Sequence, residues 1–169
     1  MAKLIFVDVN RCMHCRSCEL ACAREHKGLS LVSVTLVDGS YSIPLSCRQC
    51  EKSPCISTCS PKAMARDEMG IITIEPKKCN GCKLCVMVCP FGAIQFDYVT
   101  KVVKVCDLCR ERLQKDKLPA CVATCPAKAL MYDELDHVMQ RIREEVGRGM
   151  VRGTDLRFGF LLRQTFELD

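Results

Sequence analysis

The stretch CNGCKLCVMVCP, residues 79–90, decides the fold of this chain of 169 residues. Its four cysteines follow the spacing C-x2-C-x2-C-x3-C, and a proline comes directly after the last of them. The stretch CMHCRSCELAC, residues 12–22, has the same spacing without the proline. Two identical spacings in one short chain indicate an internal repeat.

Two further cysteine groups are variants of this motif. The second group along the chain, CRQCEKSPCISTC at residues 47–59, has two extra residues before its third cysteine. The fourth group is CDLCRERLQKDKLPACVATCP at residues 106–126. It has eleven residues between its second and third cysteines, four of them Lys or Arg. Every group ends in C-x3-C, so the sixteen cysteines form four sets: Cys12, Cys15, Cys18 and Cys22; Cys47, Cys50, Cys55 and Cys59; Cys79, Cys82, Cys85 and Cys89; Cys106, Cys109, Cys121 and Cys125.

Short β-branched segments flank the groups. LIFVDVN, GIITIEP and KVVKV precede the first, third and fourth groups, and KAMARD, GAIQFD and KALMYD follow the last three. This pattern predicts an α+β fold whose repeated unit is a strand, a cysteine loop, a short helical turn and a second strand. Residues 30–45 alternate β-branched and polar side chains around Asp38-Gly39, which predicts a β-hairpin between the first two groups.

The composition indicates that metal ions or disulfides stabilise the fold. Tryptophan is absent and aromatic residues are 5% of the chain, so the apolar core is thin for this length. The N-terminal residues MAKLIFVDVN resemble neither a signal peptide nor a membrane anchor, so a cytoplasmic location is expected. Thiols stay reduced in the cytoplasm, and metal ligation is therefore favoured over disulfides.

The formal net charge of +5 suggests an anionic partner such as nucleic acid, but it counts every cysteine as neutral. If all sixteen cysteines are thiolates on four 4Fe-4S cores of charge +2, the net charge becomes about −3. The basic isoelectric point therefore gives no support to nucleic-acid binding.

The spacing of the cysteines favours iron–sulfur clusters over zinc. Three cysteines two residues apart on a tight loop can wrap three corners of a cubane, and the fourth ligand comes from elsewhere in the chain. Zinc sites usually combine two separated C-x2-C pairs and do not need such a run. Sixteen cysteines complete four ligand sets, so His14, His26 and His137 are expected on the surface or beside a ligand.

With these motifs the chain resembles the four-cluster electron-transfer subunits of the formate hydrogenlyase, carbon monoxide dehydrogenase and dimethyl sulfoxide reductase type, over residues 3–134. The resemblance implies tandem bacterial-ferredoxin-like units in which the second group pairs with the third and the first with the fourth. The segment from Cys47 to Pro90 by itself looks like one complete ferredoxin. The resemblance implies four 4Fe-4S clusters on these ligand sets: Cys12, Cys15, Cys18 and Cys125 (cluster A); Cys22, Cys106, Cys109 and Cys121 (cluster B); Cys47, Cys50, Cys55 and Cys89 (cluster C); Cys59, Cys79, Cys82 and Cys85 (cluster D).

The expected domain organisation follows from this pairing. Residues 1–30 and 100–134 form an outer ferredoxin-like unit, residues 46–99 form an inner unit, and residues 31–45 form the hairpin insert. Residues 135–169 carry a C-terminal helix and, after the flexible stretch GRGMVRG, an apolar tail. The tail, residues 154–169, contains Leu156, Phe158, Phe160, Leu161, Leu162, Phe166 and Leu168, and it is expected to dock a catalytic subunit or a second copy of the chain.

The expected function is electron transfer without catalysis, because every cubane iron has a protein thiolate and none is open to substrate. The partners expected are a catalytic oxidoreductase subunit and a second electron carrier, with neither nucleic acid nor membrane insertion. The enzyme served could be carbon monoxide dehydrogenase, a formate or aldehyde oxidoreductase, or a hydrogenase. The alternatives are a free polyferredoxin and a zinc-stabilised interaction scaffold. The basic insert RERLQKDK is expected to be a solvated loop.

Overall fold

The computed structural model describes residues 3–152. It is an α+β structure of short elements, as the flanking segments predict. Its strands are β1 (Leu4–Val7), β2 (Ser33–Val37), β3 (Tyr41–Leu45), β4 (Met64–Arg66), β5 (Ile72–Ile74), β6 (Gln95–Asp97), β7 (Val102–Lys104) and β8 (Leu130–Asp133). Its helices are α1 (Ser17–Glu25), α2 (Pro54–Ser57), α3 (Leu84–Val88), α4 (Arg110–Leu113), α5 (Ala120–Thr124) and α6 (Leu135–Arg152).

The strands pair into four two-stranded sheets. The antiparallel pair β4–β5 joins the strand after the second cysteine group to the strand before the third, with Ala65 opposite Thr73. Strand β1, before the first group, pairs with β8, which follows the fourth group. The hairpin expected around Asp38-Gly39 is present as β2–β3, and β6–β7 forms a second hairpin.

The helices pair in the same way as the strands. Helix α1, which carries the end of the first group, packs against α5 of the fourth group. Helix α2 of the second group packs against α3 of the third. The pairs β1–β8 and α1–α5 therefore connect the first group with the fourth, and the pairs β4–β5 and α2–α3 connect the second with the third. The pair β6–β7 joins the third group to the fourth.

Two hydrophobic cores contain the buried cysteines. The first core is formed by Ile5, Cys18, Cys22, Leu31, Val32, Val34, Ile71, Cys106, Leu108, Cys121 and Leu130. The second core is formed by Cys55, Met64, Ile72, Cys85, Ile94, Val103 and Val105. Neither set of buried residues includes an aromatic side chain, and the partly buried Cys47 packs against both cores. Small aliphatic residues and thiols therefore fill the interior of the described chain, as the composition predicts.

A second compact unit begins at Asp133, and its helix α6 spans Leu135–Arg152. The helix continues through Gly147 and Gly149, so the expectation of a flexible hinge at GRGMVRG is wrong for residues 147–152. A glycine lowers helix stability by only about 1 kcal/mol, and an established helix extends at little cost per residue. At the start of this stretch, Arg148 Nη2 lies 3.5 Å from Glu144 Oε2, one turn earlier in the helix.

The basic insert of the fourth group is also more ordered than the sequence suggested. It contains the single turn α4, and Arg110 Nε lies 3.1 Å from Asp67 Oδ2. Arg112 Nε donates a hydrogen bond of 2.9 Å to the carbonyl of Leu118, and its Nη1 lies 3.4 Å from Glu25. Two of its basic side chains are thus engaged within the protein, whereas Glu111 and residues 114–117 are exposed. Most of the insert is therefore solvated as expected, but it is partly helical.

Two further expectations concern the apolar tail and the membrane. The tail, residues 154–169, lies outside the described residues. Among residues 3–152, no helix is long and apolar enough to cross a membrane.

Candidate iron–sulfur site

The four cysteine loops share one backbone conformation. The residue directly before the second cysteine has a positive φ in every group: His14 (58°), Gln49 (52°), Gly81 (70°) and Leu108 (56°). The third residue after the last cysteine repeats this conformation in three groups, at Lys62, Gly92 and Lys128. Left-handed residues beside right-handed ones turn successive N–H groups toward one point, an arrangement that binds anions and iron–sulfur clusters. The repeat in the sequence is therefore also a repeat of backbone geometry.

Gly81 is the one glycine among these four positions, and its surroundings require it. A Cβ built at Gly81 would lie 2.7 Å from the backbone oxygen of Lys101, in the turn between β6 and β7. Lys83, on the same loop, places Nζ 4.2 Å from the ring centroid of Phe96 in β6. The third cysteine loop is thus held directly against the β6–β7 hairpin.

Gly81→Ala is expected to lower the stability of the loaded protein by at least about 2 kcal/mol, because a strained left-handed alanine and a backbone clash act together. Gly92→Ala is the matched control, since Gly92 also has a positive φ of 58° but no heavy atom lies within 4 Å of its added Cβ. Unfolding midpoints and iron content would be measured for both. Equal losses in the two variants would contradict the proposed role of the contact with Lys101.

The structure brings many of the predicted ligands close to one another, and thiols of different predicted sets also interact, as Cys121 does with Cys18. One small cavity is lined by thiols from the first and fourth groups: Cys12, Cys15, Cys18 and Cys125. A second small cavity is lined by thiols from the second and third groups: Cys47, Cys50, Cys55 and Cys89. The thiol of Cys106 is close enough to those of Cys121 and Cys22 for their charges to interact. The thiols of Cys121 and Cys109 are also close enough for this interaction. Cys85 interacts in the same way with Cys59 and Cys82, and Cys79 packs against the second core.

The thiols are free, and most of the buried ones resist ionisation. All sixteen cysteines lack a disulfide partner. Burial raises the pKa of Cys121 to about 12 and those of Cys18 and Cys47 to about 11, and it drives the pKa of Cys106 well above its ordinary value. Cys15 is exposed, and a hydrogen bond with Ser17 lowers its pKa. Loading these sites with metal must therefore release protons from the buried thiols.

Backbone N–H groups donate to the last cysteine of three groups. The N–H of Ala63 lies 3.3 Å from Cys59 Sγ, and the N–H of Ala129 lies 3.3 Å from Cys125 Sγ. The N–H of Leu31 lies 3.2 Å from Cys22 Sγ. Such donors stabilise a thiolate, so these sulfurs suit a metal cluster better than a neutral buried thiol. Among residues 3–152, no three Cys, His, Asp or Glu side chains converge tightly enough for a single metal ion.

Gln49 connects the two cores, and sequence reasoning missed it. Its Nε2 donates a hydrogen bond of 2.7 Å to the carbonyl of Cys106, and its Oε1 accepts one of 2.7 Å from the N–H of Ile72. The side chain is buried. It therefore satisfies one backbone group of the fourth cysteine loop and one of strand β5, and no local pattern in the sequence signals either contact.

The three histidines have different surroundings. His14 Nδ1 lies 2.9 Å from Ser42 Oγ on β3, and His137 Nδ1 lies 3.1 Å from Asp133. His26 Nδ1 lies 3.5 Å from Cys22 Sγ, and its Nε2 lies 3.2 Å from Asp107 Oδ1. One of the three, His26, thus lies beside a predicted ligand.

Repeated cysteine loops, converging backbone N–H groups and thiol-lined cavities define a ferredoxin-type iron–sulfur protein. The chain belongs to the family with a 4Fe-4S dicluster domain, which matches residues 37–135, and a 4Fe-4S binding domain matches residues 9–25. Its cofactors are 4Fe-4S clusters, and its function is electron transfer, as predicted.

Three relatives illustrate the family. The chain is 38% identical to an iron–sulfur protein of Rhodospirillum rubrum, over 88% of the chain and 91% of the relative. It is 32% identical to a subunit of the anaerobic dimethyl sulfoxide reductase of Escherichia coli (strain K12), over 80% and 75%. It is 34% identical to the thiosulfate reductase electron transfer subunit PhsB of Salmonella typhi, over 76% and 74%. The predicted kinship with dimethyl sulfoxide reductase subunits is confirmed.

Proposed function

We propose that the chain relays single electrons through four 4Fe-4S clusters, between a catalytic oxidoreductase subunit and a second electron carrier. The observation that carries the proposal is that all sixteen thiols are free and that two small cavities are each lined by four of them. With four thiolates on each cubane, no iron is open to substrate, so the clusters conduct and do not catalyse.

The proposed ligand sets are those of clusters A to D. The cavity lined by Cys12, Cys15, Cys18 and Cys125 supports cluster A, and the cavity lined by Cys47, Cys50, Cys55 and Cys89 supports cluster C. The interactions of Cys121 with Cys109 and Cys22, and of Cys106 with Cys121, support cluster B. The interactions of Cys85 with Cys59 and Cys82, and the packing of Cys79 beside them, support cluster D.

The proposed architecture is a pair of nested ferredoxin-like units. The outer unit comprises residues 1–30 and 100–134, and the inner unit comprises residues 46–99, with the hairpin of residues 31–45 inserted between them. The pairing of β1 with β8 and of α1 with α5 supports the outer unit. The pairing of β4 with β5 and of α2 with α3 supports the inner one.

The proposed partner is the catalytic subunit of a reductase or a related oxidoreductase. The relatives named for dimethyl sulfoxide and thiosulfate reductases support a reductase. Carbon monoxide dehydrogenase, a formate or aldehyde oxidoreductase and a hydrogenase are further candidates for the enzyme served. We place the complex in the cytoplasm, where sixteen thiols stay reduced until they are loaded.

The apolar residues 154–169 are proposed to dock the catalytic subunit, with self-association as the second candidate. The test is anaerobic capture of the tagged full chain from its native host, beside a chain that ends at Gly153. The full chain is expected to bring down an oxidoreductase whose substrate changes the absorbance of the clusters near 400 nm. The shortened chain is expected to keep its iron and sulfide content and to lose the enzyme.

Three other outcomes would have different meanings. A loaded full chain that captures no enzyme, yet accepts electrons from several, would identify a free polyferredoxin. Zinc in place of iron and sulfide would identify an interaction scaffold and overturn the proposal. Capture of the enzyme by the shortened chain would overturn the docking role of residues 154–169 alone.

A further inference from the structure

His26 follows helix α1 and lies between the first and fourth cysteine groups. Its Nδ1 is 2.9 Å from the carbonyl oxygen of Cys22 and 3.5 Å from Cys22 Sγ. Its Nε2 is 3.2 Å from Asp107 Oδ1, and the side chain is only 18% exposed. The imidazole therefore connects the last cysteine of the first group to the loop of the fourth.

The acceptors around His26 determine where its protons are. A carbonyl oxygen can only accept a hydrogen bond, so Nδ1 carries a proton that is shared between the oxygen and the sulfur of Cys22. An ionised carboxylate also only accepts, so Nε2 donates to Asp107. Both ring nitrogens are donors in this geometry. In agreement with it, the hydrogen bonds with Asp107 and Cys22 raise the pKa of His26 to about 11.

Asp107 is itself held in place by the fourth cysteine loop. Its Oδ1 accepts a hydrogen bond of 2.9 Å from the N–H of Cys109, two residues along the chain. The carboxylate that orients His26 is thus anchored between Cys106 and Cys109, and small movements of the ring relative to Cys22 are restricted.

The other three groups have no such side chain. Four residues after the last cysteine, the first group has His26, whereas the others have Ala63, Ala93 and Ala129. In the second and fourth groups that alanine donates its N–H to the cysteine sulfur. In the first group helix α1 continues past Cys22, so an imidazole and the N–H of Leu31 face the sulfur instead.

The surroundings of Cys22 differ in geometry as well as in composition. Two groups face its sulfur, Nδ1 of His26 at 3.5 Å and the N–H of Leu31 at 3.2 Å. At Cys59 and Cys125 the corresponding donor is a backbone N–H at 3.3 Å. Cys22 therefore has an imidazole donor in addition to a backbone donor.

We propose that His26 is a positioning residue that donates a hydrogen bond to the thiolate of Cys22 and raises the reduction potential of the cluster bound there, with Asp107 fixing the ring. The inference rests on the proposed ligation of cluster B by Cys22, Cys106, Cys109 and Cys121. Reduction adds negative charge that is shared with the ligand sulfurs, so a donor at sulfur stabilises the reduced state more than the oxidised one. In the proposed cluster B the donor is an imidazole at a buried sulfur, whereas in the proposed cluster A the side chain of Ser17 bonds to the exposed Cys15.

The test is potentiometric titration of the loaded full chain, followed by electron paramagnetic resonance. His26→Leu is expected to lower the potential of one cluster by about 59 mV, a tenfold change in its one-electron reduction equilibrium. The other three clusters should keep their potentials. His26→Asn keeps a donor near the position of Nδ1 and is expected to recover part of the shift. His137→Leu is the matched control and should change nothing.

A second measurement starts from the wild-type protein and uses two variants to assign the signal. With histidine labelled by ¹⁵N, pulsed electron paramagnetic resonance of the wild type should show a histidine nitrogen coupled to the cluster that Cys22→Ser also perturbs. His26→Asn should remove that coupling. Unchanged potentials in His26→Leu and His26→Asn, or a coupling that survives in His26→Asn, would overturn the inference. If His26→Leu loses the cluster, the coupling and His26→Asn still decide it. Iron and sulfide content tests the proposed ligation of cluster B independently of His26. A failure of that ligation can therefore be told apart from a failure of the inference about His26.

Discussion

Replacing Cys125 by serine is expected to change the same cluster that replacing Cys12 changes, although 113 positions separate the two residues in the chain. Under the nested arrangement, Cys125 completes cluster A, whose other ligands come from the first group. The same arrangement assigns Cys106, Cys109 and Cys121, which belong to the same motif as Cys125, to cluster B. In this arrangement, the cysteines that lie nearest to Cys125 in the sequence hold a different cluster from the one that Cys125 holds.

The reason is the direction of the chain after the third cysteine of each group. Helix α5 places Cys121 in its first turn, whereas Cys125 caps its end with an extended backbone, φ −65° and ψ 109°. One turn of helix therefore carries the chain from one neighbourhood of thiols to the next. Cys125 reaches the cavity that Cys12, Cys15 and Cys18 line, beside α1.

The measurement is the set of potentials and paramagnetic spectra of three loaded variants: Cys12→Ser, Cys125→Ser and Cys106→Ser. A serine oxygen is a poorer ligand for iron than a thiolate, so each variant should lose one cluster or shift it strongly. We expect Cys12→Ser and Cys125→Ser to affect one cluster and Cys106→Ser to affect another. A match between Cys125→Ser and Cys106→Ser would mean that each motif holds its own cluster, and the nested arrangement would be wrong.

The sequence predicts the parts of this molecule that depend on local order along the chain. The spacing of the cysteines shows the repeated loops, and the segments LIFVDVN, GIITIEP and KVVKV contain strands β1, β5 and β7. The hairpin could be predicted because Asp38-Gly39 supplies turn chemistry between alternating residues. In each case the physical cause lies within about ten residues of the feature.

Contacts between distant residues could not be predicted in this way. His26 and Asp107 are 81 positions apart, and Gln49 reaches a carbonyl 57 positions away. Neither residue type carries a signal, because a histidine or glutamine in a polar stretch is usually solvated. The predicted hinge at GRGMVRG is wrong for residues 147–152 for a different reason. Its glycine content favours a helix end, but a helix that is already formed extends through single glycines.

Removal of iron and sulfide is expected to abolish the cooperative unfolding transition of residues 3–132. Six of the eighteen buried residues of the two cores are cysteines: Cys18, Cys22, Cys106 and Cys121 in the first, and Cys55 and Cys85 in the second. Cys18 and Cys55 line small cavities, and without clusters the buried thiols lose the metal that they would ligate. Stability of folded domains is only about 5–15 kcal/mol, so the loss of a few cluster contributions is enough to remove it.

The other contributions to stability are too small to compensate. The largest side chains that are almost completely buried are Ile72, Val103 and Pro119, and each strand has at most five residues. Two-stranded sheets of this length are marginal in water without a larger core behind them. The clusters therefore replace the aromatic and large aliphatic side chains that a domain of this size would otherwise bury.

The experiment compares the loaded chain with the chain treated anaerobically with chelator and reductant, by circular dichroism during heating. The loaded chain should melt in one sharp transition or in a few, and the treated chain should change gradually without one. Reconstitution with iron and sulfide should restore the transition, which separates loss of clusters from chemical damage. A treated chain that still melts cooperatively near the original temperature would show that apolar packing alone maintains the fold.

Because burial raises the pKa of Cys121 to about 12, recovery on reconstitution should also release protons to the medium.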